Sequence, residues 1–376
     1  MRGKYNDNDR YNVAVCLTCK NASATLECTL RSIASLDYPR NKLAVIIVDG
    51  GSEDNSVDIA RKLLNFYGLK GEIIVKPCNI PEGRNICISR ALEIGADYIF
   101  FIDSDVVIAD KAILAKLTEF DMRYGPCVVS AGTRFKFFSS LEELRLFCSR
   151  VAELGGDSGM MLAGAIPWSG MSLTLIPRCI AEQVRFDEDL TFAEDRYYGY
   201  LVWRSGYKVY SVNADKPIAY DVNLPKYSDI YARMGIREYL RGLYKKALMI
   251  VYTYYGGGVL KTMIRLLRNI HGRRMLFHFL SMLILAIGLV MLSTASLQLW
   301  GLAFTIPYMV ADLSYLMRLW KVKCRNIHQA LASLLKYRVY SLYVLLSMPI
   351  ITLKHREQLN NLYRAIRDEA ELYWIR

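Results

Sequence analysis

The stretch from Ile99 to Asp105 restricts the fold of this chain more than any other, because four apolar residues end abruptly in Asp103 and Asp105. A continuous apolar run is typical of a strand that is buried on both faces. Successive side chains of an extended chain alternate between faces, so the two carboxylates should point the same way. Open α/β sheets bind ligands at the carboxyl ends of their strands. The stretch therefore predicts a carboxylate pair at a binding edge, although a solvated turn has a similar composition.

Apolar strands and helical segments alternate through the first hundred residues. Apolar runs at 11–17, 43–48 and 72–75 predict three further strands, and Leu and Ile recur at helical spacing between them. This order predicts an α/β fold with a mostly parallel sheet flanked by helices. A nicotinamide-binding fold needs a Gly-x-Gly-x-x-Gly turn after its first strand, whereas residues 18–21 contain no glycine. A dehydrogenase is therefore disfavoured.

Charge and hydropathy are unevenly distributed along the chain. The sequence has 376 residues and a formal net charge of +12, and its apolar residues are concentrated after about residue 245. A basic, apolar C-terminal half favours anionic membrane lipid over nucleic acid as a partner, and we expect no nucleic-acid partner. Nine cysteines without regular spacing argue against a disulfide framework and favour buried thiols in a reducing compartment.

Five short motifs follow one another between residues 48 and 207. They are Val48-Asp49-Gly50-Gly51-Ser52, Gly83-Arg84-Asn85, Asp103-Ser104-Asp105, Phe192-Ala193-Glu194-Asp195 and Arg204-Ser205-Gly206-Tyr207. In this order and spacing they resemble the family 2 glycosyltransferases of the GT-A fold, over roughly residues 11–215. The chain departs from the family at Lys20, near which many members carry a proline. The resemblance implies inverting transfer of a sugar from a UDP- or GDP-linked donor, with Mn²⁺ or Mg²⁺ as cofactor.

The resemblance also implies roles for residues near the donor. Asp105 is the expected metal ligand, and Asp103 would share the ion or face the ribose, since carboxylates with phosphate oxygens suit Mg²⁺ or Mn²⁺. Thr18 and Asp49 are expected to contact the base or ribose, and Arg84 the base or a phosphate. Two alternatives stay open: Asp49 could cap a helix, and Arg84 could form a surface salt bridge.

The acidic pair Glu194-Asp195 is expected to carry the catalytic base. A single inverting displacement needs a base that removes the proton of the acceptor hydroxyl. By resemblance, Asp195 is that base and Glu194 orients the site. Trp168 is expected to line the acceptor pocket, with core packing as the alternative. Arg241 is expected near the donor phosphates.

The C-terminal half predicts contact with a membrane. Between Met275 and Met317 the only formal charge is Asp312, and this length accommodates two spans of about twenty residues. Basic residues flank the run on both sides, which puts both of its ends in the cytoplasm. The expected segments are a disordered N-terminus (1–10), a catalytic domain (11–230), basic interfacial helices (231–275), a transmembrane helical hairpin (276–317), and a basic loop, a short apolar segment and an amphipathic tail (318–376). The short apolar segment is either re-entrant or a third transmembrane span.

These expectations combine into one functional hypothesis. A membrane-anchored enzyme, similar to the dolichyl- or polyprenyl-phosphate sugar transferases, would use a cytoplasmic nucleotide sugar and a lipid-linked acceptor. That acceptor would be a polyprenyl phosphate or a lipid-borne glycan. A processive polysaccharide synthase is the alternative, although the chain lacks the Gln-x-x-Arg-Trp motif typical of such enzymes. A non-catalytic membrane scaffold of the same fold is a third possibility, against which the intact acidic motifs argue.

Overall fold

The structure is a computed structural model, and the chain divides into two compact units, Met1–Leu224 with Ala365–Arg376, and Pro225–Arg364. The residues that the structure describes are 11–154, 157–158, 161–166, 169–190, 193–224, 243–255, 258–292, 306, 309–310, 313–317, 327–368 and 373–375.

A mixed nine-stranded sheet forms the centre of the first unit. Its strands are β1 (Val13–Cys19), β2 (Leu43–Asp49), β3 (Gly71–Val75), β4 (Tyr98–Ile102), β6 (Cys127–Ala131), β8 (Met161–Ala165), β9 (Leu173–Pro177), β10 (Lys208–Ala214) and β12 (Tyr373–Ile375). They lie in the order β12-β8-β10-β6-β9-β4-β1-β2-β3. The strands β1 to β4 are parallel as predicted, whereas β9 runs antiparallel between β4 and β6. The predicted α/β class is confirmed.

Helices cover both faces of this sheet, because the side chains of its buried strands alternate between two apolar cores. The helices of the first unit are α1 (Leu26–Ala34), α2 (Ser56–Phe66), α3 (Ile80–Glu93), α4 (Ile113–Tyr124), α5 (Leu141–Leu154), α6 (Arg178–Ala181) and α7 (Glu194–Arg204). Val15 and Leu17 of β1 share one core with Leu30 of α1. Cys16 of β1 shares the other core with Ile88 of α3. The three-layer arrangement leaves the carboxyl ends of β1, β2 and β4 at one edge.

A second, three-stranded sheet begins directly after the Asp103–Asp105 motif. Its strands are β5 (Val106–Ile108), β7 (Thr133–Phe137) and β11 (Ala219–Asn223), in the order β5-β11-β7. The register places Asp221 of β11 opposite Val106 on one side and opposite Phe135 on the other. This small sheet therefore extends the edge at which the carboxylate pair lies.

The cysteine prediction is wrong for one pair. Cys28 of α1 and Cys148 of α5 form a disulfide, with their Cα atoms 5.5 Å apart and 120 positions between them in the sequence. The six other cysteines among the described residues are free thiols: Cys16, Cys19, Cys78, Cys87, Cys127 and Cys179. Sequence spacing could not indicate the pair, because the two sulfurs meet only when α1 packs against α5.

The second unit is helical. It contains α8 (Leu243–Tyr254), α9 (Val259–Arg268), α10 (Ile270–Leu292), α11 (Ile327–Lys354) and most of α12 (Arg356–Asp368). Among the residues that the structure describes, α11 is the one helix that is long and apolar enough to cross a membrane. The first span of the predicted hairpin falls within α10, whereas most of the second lies outside the described residues.

The short apolar segment predicted before Lys354 belongs to a longer helix. Pro349 lies inside this continuous helix, α11. A proline removes one backbone hydrogen bond, and packed apolar helices tolerate this loss better than isolated ones. The tail continues as α12 and then as β12, which pairs antiparallel with β8 of the large sheet. The sequence pattern did not indicate this last strand.

Candidate active site

The backbone of the Asp103–Asp105 motif is fixed at each residue by a different element. The backbone N–H of Asp103 donates to the Ser172 carbonyl oxygen at 3.4 Å. The Thr29 hydroxyl of α1 donates to the Ser104 carbonyl oxygen at 3.0 Å. The Val222 N–H of β11 donates to the Asp105 carbonyl oxygen at 2.8 Å. Helix, strand and loop thus hold the two carboxylates at the end of β4.

Three carboxylates interact electrostatically at this edge: those of Asp103, Asp105 and Asp221. Burial, and then the charges of Asp103 and Asp221, raise the pKa of Asp105 to about 7. Burial also raises the pKa of Asp221, against the hydrogen bond that its carboxylate accepts from Asn223. The sequence prediction missed Asp221, because it lies inside a strand with no motif around it and reaches the site only through the register of β11 with β5.

This set of hard oxygen donors fits a divalent cation. Mg²⁺ and Mn²⁺ are bound through one or two carboxylates together with substrate phosphate oxygens. Within the described part of the chain, no three His, Cys, Asp or Glu side chains are gathered closely enough to hold a metal ion by themselves. Asp103 and Asp105, with Asp221 beside them, could hold such an ion jointly with a phosphate-bearing ligand.

Arg84 connects the two acidic motifs. Its Nη1 lies 2.8 Å from Oε1 of Glu194, and its Nη2 lies 3.2 Å from Oδ1 of Asp103. Only 5% of Arg84 is exposed. Burial lowers the pKa of Arg84, but the charges of Glu194 and Asp103 outweigh this effect and raise it overall, so the guanidinium stays charged. Arg84 therefore forms the salt bridges of the alternative prediction, but buried ones rather than surface ones, and its contact with base or phosphate stays a prediction.

The acidic pair begins helix α7. Ala193, just before it, has a left-handed backbone with φ of 59°, a conformation that is unfavourable for residues other than glycine and often occurs at functional sites. Burial raises the pKa of Glu194 to about 7, against the opposing charge of Arg84. Burial also raises the pKa of Asp195, whose carboxylate accepts a hydrogen bond from the Arg196 N–H at 2.7 Å. Asp195 forms no ion pair within the described residues, so it is the member of the pair that can accept a proton.

Helix α3 also positions the segment that leads to the acidic pair. The Asn85 side chain accepts from the Phe186 N–H at 2.8 Å and donates to the Phe186 carbonyl oxygen at 2.9 Å. The Phe186 ring stacks on Tyr198 of α7 with centroids 4.3 Å apart, and Arg84 lies 5.4 Å from the Phe186 centroid. Arg84 and Asn85 are consecutive residues of α3. Arg84 therefore contacts the acidic motifs, and Asn85 holds the Phe186 segment that leads to the acidic pair.

The residues at the ends of β1 and β2 have mainly structural contacts. Asp49 is buried, and its Oδ1 accepts hydrogen bonds from the N–H groups of Gly51 at 3.0 Å and Ser52 at 2.8 Å. These hydrogen bonds close the turn after β2, whereas the N-cap of α2 is Asn55, so Asp49 does not cap that helix. Its contact with base or ribose stays a prediction. Thr18 packs against the start of α3, where a Cβ added to Gly83 would lie 3.1 Å from Thr18 Cγ2. Glycine allows this close approach.

The structure brings four of the predicted acidic residues and Arg84 together: Asp103, Asp105, Glu194 and Asp195. Trp168 and Arg241 lie outside the described residues.

Comparison with known proteins places this geometry in context. Residues 14–147 match the family model described as Glycosyl transferase family 2. The probable glycosyltransferase YdaM of Bacillus subtilis (strain 168) is 24% identical over 206 residues, which cover 52% of this chain and 48% of that protein. The poly-beta-1,6-N-acetyl-D-glucosamine synthase of Staphylococcus epidermidis is 25% identical over 130 residues, covering 34% of this chain and 30% of the synthase. The chain thus spans half or less of the length of these relatives.

A solved structure with related architecture is the mannosyltransferase PcManGT from Pyrobaculum calidifontis, in complex with GDP-Man and Mn²⁺. It shares 16% sequence identity, the superposition covers 91% of this chain and 88% of that one, and the TM-score is 0.45. This overall similarity is too low to transfer its ligands to the present chain.

Proposed function

Residues 14–147 form a glycosyl transferase family 2 domain, and from this premise we propose that the chain transfers a sugar from a nucleoside-diphosphate donor to an acceptor hydroxyl with inversion at the anomeric carbon. The observation that carries the proposal is the Arg84 bridge, which joins Glu194 to Asp103. Through it, the residues assigned to donor binding and the residues assigned to proton transfer form one connected site.

The donor diphosphate would lie at the ends of β1, β2 and β4. Asp105 and Asp103 would hold Mn²⁺ or Mg²⁺, with Asp221 adding negative charge beside them. The ion, when bound, stabilises the negative charge on the leaving diphosphate. Ser172 orients Asp103 through a hydrogen bond of 3.0 Å from its hydroxyl to Oδ2, so the position of this carboxylate is fixed before the donor binds.

The proton of the acceptor hydroxyl would pass to Asp195. A general base must be deprotonated and within reach of the attacking hydroxyl. Glu194 is held by Arg84 at 2.8 Å, so it orients the pair and cannot readily turn toward the substrate. The positive charge of Arg84 opposes the effect of burial, which raises the pKa of Glu194 and of Asp195. We assign Asp195 as the catalytic base and Arg84 as a positioning residue.

The acceptor we propose is lipid-linked, because the second unit has the features of a membrane-associated structure. Exposed apolar residues recur at helical spacing along α11: Leu331, Leu335, Val339, Leu346, Ile350 and Leu353. Helix α9 is strongly amphipathic and combines exposed Leu260 and Ile264 with Lys261 and Arg265. Basic amphipathic helices bind the interface of membranes with anionic lipid. The basic flanks favour a cytoplasmic catalytic domain.

The positions of the charged residues in α11 suggest how the helix inserts into the bilayer. Lys336 and Arg338 leave residues 339–353 as its uncharged part, which would be about 22 Å long at 1.5 Å per residue. The whole helix is long and apolar enough to cross a membrane, but this uncharged part is shorter than the hydrocarbon core of about 30 Å. We therefore propose that α11 enters the membrane from one side, with the two basic side chains at the level of the headgroups.

A processive polysaccharide synthase is the second candidate. The relative from Staphylococcus epidermidis is named a poly-beta-1,6-N-acetyl-D-glucosamine synthase, which supports polymer formation by a related catalytic domain. The length of the product distinguishes the two candidates: a single addition supports the lipid-linked transferase, and a polymer supports the synthase.

The test uses the purified full chain with Mn²⁺, a panel of radiolabelled UDP- and GDP-sugars and a lipid extract. We expect transfer from one donor, and a loss of at least a hundredfold in Asp105→Ala and Asp195→Asn. Asp189→Asn, which changes an exposed carboxylate shortly before the pair, is the matched control and should keep its activity. Full activity in both site variants would refute these assignments.

A further inference from the structure

Two phenylalanine rings are exposed on edge strand β7. Phe135 is 71% exposed and Phe137 is 73% exposed. Because they are two positions apart on a strand, their side chains point to the same face of the small sheet. Large aromatic side chains are usually buried or used in contacts, so an adjacent exposed pair is informative. We refer to Phe135 and Phe137 together as the aromatic platform.

The strand register places this platform beside the carboxylates. Phe135 is paired with Asp221 of β11, and Phe137 is paired with Asn223. Paired residues of neighbouring strands share a face of the sheet, so the platform, Asp221 and Asn223 form one surface. Asp221 also acts electrostatically on Asp105. The platform is therefore continuous with the candidate active site.

Lys136, which lies between the two phenylalanines on β7, shows which face of the small sheet is covered by α5. The Nζ of Lys136 lies 4.0 Å from the centroid of Phe147 on α5 and 5.9 Å from that of Tyr220. Lys136 thus points to the face that α5 covers, where Val107 and Val222 also pack. The platform lies on the opposite face, which carries Asp221.

Resting on the proposed function, we propose that Phe135 and Phe137 form an acceptor subsite that stacks against the apolar C–H face of a pyranose ring. A flat aromatic ring next to Asp221 and Asn223 offers a sugar both of its requirements, an apolar surface for the ring face and polar groups for the hydroxyls. A hydrocarbon chain would gain nothing from a carboxylate and an amide in the neighbouring positions, because removing a carboxylate from water costs free energy. The occupant is therefore the sugar part of the acceptor.

Substitution with residues of different shape tests the stacking. Phe135→Trp and Phe137→Trp keep a flat ring, whereas Phe135→Leu and Phe137→Leu keep an apolar side chain without one. Saturation-transfer NMR on the full chain would measure binding of methyl glycosides of glucose, galactose, mannose and N-acetylglucosamine. The corresponding sugar alcohols have similar hydroxyls but no ring face, and n-octanol supplies a hydrocarbon chain alone.

We expect at least one methyl glycoside to bind the wild type and the Trp variants, and to bind each Leu variant about three- to tenfold more weakly, as expected for loss of one aromatic contact. The sugar alcohols and n-octanol should bind no better than background. Phe66→Leu is the matched control, because Phe66 is 75% exposed on α2, and it should bind like the wild type. Each Leu variant should unfold at the wild-type temperature, since these rings are exposed.

Equal binding by the Leu variants and the wild type, an equal loss in Phe66→Leu, or binding that follows the octyl chain would overturn the proposal. Slow hydrolysis of the donor by water provides a separate measurement of the donor site, and Phe66→Leu should leave its rate unchanged. If the wild type neither hydrolyses nor transfers any sugar, the proposed function fails. In that case the NMR measurement still tests whether methyl glycosides bind to the aromatic platform.

Discussion

Arg84 is the single side chain on which the geometry of the site depends most. Its two terminal nitrogens contact Glu194 and Asp103, which come from parts of the sequence 110 and 19 positions away. A lysine offers one ammonium group in place of a planar fork, so it could not hold both carboxylates at once. The role of Arg84 is therefore geometric, and its loss should affect both folding and activity.

Arg84→Ala should lower the free energy of unfolding by about 3–5 kcal/mol, because it leaves Glu194 buried without its partner. Denaturant unfolding of the full chain measures this effect. Arg61→Ala, which breaks an exposed ion pair with Asp58, should cost less than about 1 kcal/mol. Glu194→Gln added to Arg84→Ala should recover part of the loss by removing the uncompensated charge. Equal losses in Arg84→Ala and Arg61→Ala would contradict this account.

The acidic pair should make the rate depend on pH. Burial raises the pKa of Glu194 to about 7 and that of Asp195 above its ordinary range. Both carboxylates are active in the deprotonated form, so activity should rise as the pH rises through these values and fall below about pH 7. A profile of kcat/KM between pH 5 and 8.5 measures this. In Glu194→Gln, the rise of kcat/KM with pH should shift to lower pH. An unchanged profile in that variant would show that Glu194 does not cause the pH dependence.

At the scale of elements, α1 connects the disulfide to the carboxylate motif. Cys28 of α1 is bonded to Cys148 of α5, and the next residue, Thr29, holds the Ser104 carbonyl oxygen. The same helices pack on Val107 and Val222 of the small sheet. The crosslink therefore supports the elements that position Asp105 and Asp221.

Removing the disulfide should destabilise the first unit. Cys28→Ser should lower the free energy of unfolding by about 2–5 kcal/mol, because the bond closes a loop with a sequence separation of 120. Thermal unfolding with and without a thiol reductant measures the change, and Cys179→Ser, a free and half-buried thiol, is the control. Alkylation of both Cys28 and Cys148 in unreduced protein would show that the bond is absent.

The same alkylation carried out in intact cells tests where the domain resides. Disulfides are rare in reducing compartments, so protection of Cys28 and Cys148 in cells would argue against the proposed cytoplasmic placement.

At the scale of the whole molecule, the chain combines a compact α/β unit with a helical unit that exposes apolar side chains along α11. Leu346 and Ile350 of α11 are 61% and 68% exposed. Exposed side chains of this kind are typical of residues that face lipid, because a water-soluble helix normally presents polar groups at such positions. This division supports membrane anchoring through the second unit.

Acidic residues introduced on the exposed apolar face of α11 should release the protein from membranes. Leu346→Glu with Ile350→Glu should move most of the protein to the soluble fraction after carbonate extraction, since each charged residue costs about 2.5–3.5 kcal/mol near the bilayer centre. Phe66→Glu places a charge on an equally exposed position of α2 and should leave the distribution unchanged. Retention of the double variant in the membrane pellet would show that α11 is not the anchor.

The amino-acid sequence by itself indicated the class of fold and the family, and it predicted the acidic residues of the candidate site. Buried strands, turn glycines and motifs such as Asp103–Asp105 are local, so their order along the chain can be read without knowing which elements meet. The α/β fold and the family are confirmed, the latter over residues 14–147. Asp103, Asp105, Glu194 and Asp195 lie in one site.

Only the tertiary structure decided how these residues are used. Arg84 is occupied by two carboxylates, Asp49 closes a turn, and the Cys28–Cys148 bond joins helices that the sequence keeps far apart. Strand register brings Asp221 beside Val106 and Phe135, and it depends on long-range pairing that leaves no local pattern in the sequence. Local propensity determines which elements form, whereas contacts between distant residues determine which of their side chains can meet a substrate.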